Sequence, residues 1–185
     1  MATQRRWATF STVHHLKVTL LYVEPPVWRR LHVPSTIALS SLHRVLQVAL
    51  GWQNQHLYEF RVGTLGIDAS AGPDVGVRLA DIADEQGARL LYRYDFGDGW
   101  EHDVLVEAIT SAEPGVRYPT CVGGARACPP EDCGGPPGYA RVLEASRDPR
   151  HPDHGAMTEW LAGPFDPEQF DPRETNRRLH TLRLT

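Results

Sequence analysis

The tightest constraint on this chain comes from residues 90–106, LLYRYDFGDGWEHDVLV. Two apolar and aromatic runs flank Gly97-Asp98-Gly99, a connection too short for anything but an antiparallel hairpin. Glycines suit that connection because a tight turn needs backbone angles that other residues resist. Asp95, Asp98, Glu101, His102 and Asp103 crowd around it. Side chains alternate along a strand, so Tyr94, Phe96 and Asp98 are expected on one face and Asp95 and Gly97 on the other. Trp100 and His102 should likewise share a face, opposite Glu101 and Asp103. A second distinctive stretch, residues 118–139 (YPTCVGGARACPPEDCGGPPGY), holds all three cysteines and reads as a loop.

The remaining chain places these pieces in an α+β fold. Residues 14–23 (HHLKVTLLYV) alternate Leu16, Val18, Leu20 and Tyr22 on one face of a strand. After Pro25-Pro26, residues 27–33 (VWRRLHV) read as an antiparallel partner, with the proline pair confined to the connection because it cannot donate to a ladder. Leu42, Val45, Leu46, Ala49 and Leu50 follow helical spacing, with Ser40 or Ser41 as the cap and Gly51 as the stop. His43 and Arg44 flank that apolar stripe and read as surface. Residues 52–62 lead into a third strand carrying His56, Tyr58 and Phe60 on one side. Residues 63–76 read as an exposed loop, and a helical turn is expected around Leu79–Ile82.

Beyond the cysteine stretch the character turns helical, with short helices at residues 138–146 and 154–161. Asp166-Pro167 and Asp171-Pro172 both carry the acidic cap and proline that open helices. Strands first and helices last predict a mainly antiparallel sheet with helices packed on one face and a helical C-terminal part. A chain of 185 residues suits one buried core, so residues 1–185 are expected to form a single domain with its core at about 14–180.

Composition excludes several classes. No run of about 18 apolar residues exists to span a membrane, and no apolar segment follows the N-terminal arginines as a secretory signal would require. A cytoplasmic location is the expectation. An odd number of cysteines without such a signal argues against a disulfide framework. Net charge is −4, but residues 1–60 balance at +4 and the remainder at −8.

Several strings then fall in a familiar order: VWRRLHVP, GWQNQHLYEF, YRYDFGDGWEHDV, ACPPEDCGGPPGY, DPRHPDHGAMTEW and FDPEQFDPRETNRRL. Through them the chain, from about Leu16 to Leu179, resembles the plasmid pRiA4b ORF-3-like family, whose members also occur as passengers of insertion elements. The resemblance implies an α+β fold and a setting among mobile elements, and carries no settled activity with it.

Three chemistries fit the residues. The first is a non-enzymatic binding or accessory module. It would present Tyr94, Phe96, Asp98, Trp100, His56, Tyr58, Glu131 and Asp132 as an aromatic–acidic groove to a peptide or protein. The second is a metal-dependent hydrolase or nuclease using Asp95, Asp98, Glu101 and His102, with His56 joining if its strand is a neighbour. The third is a DNA-binding accessory protein using Arg5, Arg6, Arg29, Arg30 and Arg44, whose affinity would fall steeply with salt. Separately, Cys121, Cys128 and Cys133 are candidate zinc ligands, completed by Glu131, Asp132, His102, His151 or His154. Their spacing is not that of a zinc knuckle, and three reduced thiols are the plainer reading. The acidic turn has a plain reading too, as exposed decoration on a hairpin whose aromatic residues serve the core. Asp148, His151, Asp153 and His154 are more simply turn and capping residues than ligands.

Overall fold

The computed structural model describes residues 11–67 and 76–184. Twelve elements follow in chain order: β1 (Thr12–Leu20), β2 (Trp28–Pro34), α1 (Leu39–Leu50), β3 (Tyr58–Val62), β4 (Leu65–Ile67), α2 (Leu79–Ile82), β5 (Arg89–Tyr94), β6 (Trp100–Ser111), β7 (Thr120–Ala125), α3 (Gly135–Arg147), α4 (His154–Trp160) and α5 (Pro172–Leu179). The strands form one sheet in the order β4-β3-β5-β6-β1-β2-β7, and every pairing is antiparallel. No helix among the described residues is long and apolar enough to cross a membrane.

The two faces of the sheet differ sharply. Leu16, Val18, Leu20, Leu31, Val33, Phe60, Tyr92, Tyr94, Trp100, Val104 and Val106 form one buried cluster with Leu42, Val45, Leu46 and Ala49 of α1. The opposite face carries charge paired across strands. Arg93 bridges Glu59 on β3 at 2.7 Å and Glu101 on β6 at 3.2 Å, while Arg30 of β2 reaches Glu107 of β6 at 2.6 Å. Such half-buried, solvent-accessible pairs contribute about 1 kcal/mol or less each, so their weight lies in matching strand to strand rather than in stability. The apolar face is what drives the layers together.

Several local expectations require correction. Tyr22 does not continue the buried face of β1; it is 74% exposed, with φ 62° in the turn before the proline pair. Helix α1 starts from Ala38 rather than Ser40 or Ser41, because Ala38 is held in a β-bridge with Arg78 and Leu39 N–H donates to Val77 O. His43 is 2% exposed and not on the surface. Strand β3 begins at Tyr58, leaving His56 in the segment before it. Leu65–Ile67, expected within a loop, adds a short edge strand beside β3; residues 68–75 of that loop lie outside the described residues.

The cysteine stretch is not all loop either. Its first part is β7, an edge strand paired with β2. Gly123 and Gly124 obscured this because glycine disfavours strands. Gly124 is small for a packing reason: a Cβ there would sit 2.7 Å from the Phe170 ring. The outer edge of β7 is capped by Asn176, whose amide accepts from Cys121 N–H at 2.7 Å and donates to Cys121 O at 2.8 Å. Finally, Asp166-Pro167 opens only a turn, in which Asp166 accepts from Glu168 N–H and Gln169 N–H. A helix there would run into Asp171, which must be extended ahead of Pro172. Asp171 instead caps α5, accepting from Arg173 N–H at 2.8 Å.

Candidate functional site

The β5–β6 turn departs from simple alternation at one residue. Asp95 takes φ 54°, a conformation that Asp tolerates better than most residues. Its Oδ1 accepts from Gly97 N–H at 3.0 Å and Asp98 N–H at 3.3 Å, and its backbone N–H donates to Leu57 O at 2.9 Å. This kink turns Asp95 inward behind Tyr94, so both are buried, while Phe96 is 49% exposed. Tyr94, Phe96 and Asp98 therefore do not share a face. Trp100 and His102 do share one, opposite Glu101 and Asp103, as expected.

Residues 126–134 dock against this turn. Trp52 Nε1–H donates to Pro129 O at 2.9 Å, and Asp98 Oδ2 accepts from Gly134 N–H at 3.1 Å. Glu131 Oε1 accepts from Tyr94 Oη–H at 3.0 Å and from Gln53 N–H at 2.8 Å. The approach is close enough to demand glycine. A Cβ on Gly135 would lie 2.4 Å from Asp98 O, and one on Gly138 would lie 1.8 Å from Cys133 O.

His56 stands where the two pieces meet. Its Nε2 lies 3.1 Å from Asp132 Oδ1, 3.6 Å from Asp95 Oδ2 and 3.9 Å from Glu131 Oε2. Among the described residues, His56, Asp95 and Asp132 are the one group of three or more His, Cys, Asp and Glu side chains whose ligand atoms all fall within 4.8 Å of one another. His56 Nε2 and Glu131 Oε2 are both buried atoms without a hydrogen-bond partner. Metal–ligand bonds of about 2.1 Å put neighbouring donors about 3.0 Å apart in an octahedron and about 3.4 Å apart in a tetrahedron. The distances around His56, 3.1, 3.6 and 3.9 Å, run from just above the octahedral spacing to somewhat beyond the tetrahedral one.

Other sequence candidates are dispersed. Trp100 and His102 are fully buried, and His102 Nδ1 meets Tyr92 O at 3.2 Å. Burial lowers the His102 pKa to about 4, so the ring is neutral at pH 7, and it lies outside the group of ligand atoms around His56. Glu101 belongs to the open face with Arg93, as does Asp103 with Arg89. Tyr58 stacks on His43 at 3.5 Å, and Tyr94, its hydroxyl engaged by Glu131, has its pKa raised to about 12, chiefly by burial. His151 accepts from Asp153 N–H and His154 holds Ala145 O, the turn and capping roles expected of them.

Among the described residues, the three thiols are not drawn together with a fourth ligand. Cys121 lies on β7, Cys128 beside the Arg29 guanidinium at 3.5 Å, and Cys133 in the segment leading into α3. All three are free, and burial raises each pKa, to about 12 for Cys133 where Asp98 adds to the effect. Among the arginines, Arg29 is 3% exposed and donates to four backbone carbonyls, Arg30 is paired with Glu107, and Arg44 donates to Arg183 O. Arg5 and Arg6 lie outside the described residues.

One supporting residue escaped sequence reasoning. His43 contacts Tyr92 Oη at 2.8 Å and Asn54 Oδ1 at 2.6 Å, fixing the segment that ends in His56. Burial lowers its pKa to about 4, so it acts as a neutral two-point brace. Its position beside the apolar stripe of α1 was the only signal.

Comparison with known proteins follows the same lines. A protein from Sinorhizobium fredii, described as "Uncharacterized protein y4hQ", is 45% identical over 158 residues, covering 81% of each chain. The crystal structure of a protein of unknown function, MM3350 from Methanosarcina mazei Go1, superposes with a TM-score of 0.77 at 34% identity, covering 90% of this chain and 98% of that one. Residues 12–174 match the family described as Plasmid pRiA4b ORF-3-like protein, and the chain belongs to that family.

Proposed function

We propose that this protein is a binding module whose acidic site takes a divalent cation, held by His56, Asp95 and Asp132 with Glu131 beside them. The observation that carries this reading is the convergence of three carboxylates on His56 Nε2, with Glu131 Oε2 buried and without a hydrogen-bond partner. A protonated His56 would balance one carboxylate and leave the others repelling one another. The buried Glu131 Oε2, without a hydrogen-bond partner, also costs about 1–3 kcal/mol, which a cation beside it removes. An imidazole with carboxylate oxygens suits Mn²⁺ or Zn²⁺ better than Ca²⁺, which prefers oxygen alone. The aromatic half of the expected groove contributes differently: Tyr94 and Trp100 are buried and shape the site from behind.

Titration of the full chain with Mn²⁺ and Zn²⁺ by calorimetry tests this reading. One cation per chain is expected, lost in His56→Ala and Asp95→Asn and retained in a Cys121→Ser, Cys128→Ser double variant. Unchanged binding in His56→Ala, or loss confined to the cysteine variant, would overturn it and move the metal to the thiols.

A further inference from the structure

At the end of the sheet far from the Asp95 turn, where Val13 pairs with Pro34 and Thr12 with Ser111, lies a cavity of about 730 Å³. That volume suits a small molecule. Its walls come from the end of β2, the start of α1, the residues before α2, the β6–β7 connection and the chain after α5. Ile37 and Leu179 are buried and form its inner side, and Leu182 and Leu184 continue the aliphatic surface. Charge in the lining is of one sign. Arg78 and Arg117 are exposed there, and among the described residues no Asp or Glu joins them. Asp81, which accepts from the Arg78 backbone N–H, stands outside the lining. Arg117 is positioned by donating to His180 O at 2.5 Å. His180 also lines the cavity, and its Nε2 is a buried atom without a hydrogen-bond partner. Burial, and then the Arg117 charge, lowers the His180 pKa, so the ring adds a neutral polar group rather than a third charge.

We propose that this cavity binds the anion of a medium-chain aliphatic carboxylic acid, its tail against Ile37, Leu179, Leu182 and Leu184 and its carboxylate at the Arg78 and Arg117 guanidiniums. A guanidinium matches a carboxylate through two parallel N–H bonds. Two cations without a facing acid leave a field that one anionic head balances. The cations are exposed and the inner aliphatic side chains buried, so the head lies at the mouth and the tail points inward. Among the described residues Tyr118 is the only Phe, Tyr or Trp in the lining, which favours a flexible tail over a stacked ring. The site stands apart from the His56 group and does not depend on a cation there.

Titration of the full chain with octanoate by calorimetry tests this, with octanol, octylamine and acetate as comparison probes. Octanoate should bind more tightly than octanol, and octylamine and acetate about tenfold or more weakly than octanoate. Arg78→Gln and Arg117→Gln should each weaken octanoate about tenfold and leave octanol unchanged, while the charge-keeping Arg78→Lys loses less. Leu184→Ala should weaken octanoate and octanol alike. His56→Ala should bind octanoate as the wild type does, which separates this site from the cation site. Absence of octanoate binding, equal binding of octylamine, or unchanged octanoate affinity in both Arg→Gln variants overturns the inference. Octanol affinity that falls together with that of octanoate in those variants overturns it as well, because the arginines would then shape the cavity rather than hold a carboxylate.

Discussion

Gly138 is the sharpest test of how the cysteine segment is held. It sits inside α3, and its backbone angle is ordinary, so an unobstructed Ala there would favour the helix by about 1 kcal/mol. The structure predicts the opposite sign. A methyl group would lie 1.8 Å from Cys133 O and 2.6 Å from its carbonyl carbon, and relief demands a backbone shift of about 1 Å. Forced overpacking costs about 1–3 kcal/mol. The shift also loosens the Asp98–Gly134 and Trp52–Pro129 hydrogen bonds, worth about 1 kcal/mol each. Net of the helical gain, Gly138→Ala should destabilise by about 2–4 kcal/mol, lowering the melting temperature by about 5–15 °C in a chain of this size. Gly155→Ala in α4, where a Cβ meets nothing within 4 Å, is the control and should be neutral or stabilising. Thermal and urea unfolding of the two variants with the wild type decides the matter. A Gly138→Ala protein that melts at or above the wild type would refute the docking described here.

Three further expectations concern buried polar groups. His43 and His102 both have pKa values lowered to about 4, so the unfolded chain takes up their protons first as pH falls below about 6.5. Stability should therefore be complete above that pH and decline from 6.5 towards 5 by up to about 1.4 kcal/mol per pH unit for each ring, measured by urea unfolding; a flat profile would contradict it. Tyr94→Phe removes the hydroxyl that donates to Glu131 and accepts from Gln55 N–H at 3.1 Å, and should cost about 1–2 kcal/mol while weakening cation binding by calorimetry. Arg29→Lys cannot reach the carbonyls of Trp28, Ala49, Ala125 and Arg126 together, and should destabilise by about 3 kcal/mol in the same unfolding assay despite keeping the charge.

Much of the architecture was legible in the sequence because period and punctuation agree. The hairpin, the α1 stripe ending at Gly51 and the Asp171-Pro172 helix start each combine two independent local signals. What could not be read depended on partners distant in the chain. The β7 strand is hidden by two glycines, of which Gly124 is required by the Phe170 ring and the Trp28 carbonyl. His43 looks like a surface residue until Tyr92 and Asn54 close over it. Within the site, Asp95, His56, Glu131 and Asp132 were all nameable, and their grouping only as a condition on which strands are neighbours. That required strand order: β3 lies beside β5 with Tyr58 opposite Tyr94, which brings the segment before β3 alongside the Asp95 turn. It also required the positive φ at Asp95, which no alternation rule predicts.

The grouping has an energetic consequence that separates a site shaped for a cation from an incidental cluster. Carboxylates of Asp95 and Asp132 have ligand oxygens within 4.8 Å of each other. Like charges at such a distance repel by about 1–4 kcal/mol across effective dielectrics from water to the protein surface. Because Asp132 is well exposed, solvent screening leaves about 1 kcal/mol. In the presence of a chelator, Asp132→Asn should therefore be as stable as the wild type or more so. Saturating Mn²⁺ at about 100 times its dissociation constant adds about 2.7 kcal/mol to the wild type and much less to the variant. The order of stabilities then reverses between chelator and cation. Melting curves of both proteins under both conditions measure this crossing directly. If Asp132→Asn is the less stable protein in chelator and the gap does not widen with Mn²⁺, Asp132 serves the fold through its contact with His56 and the carboxylates were not gathered for a cation.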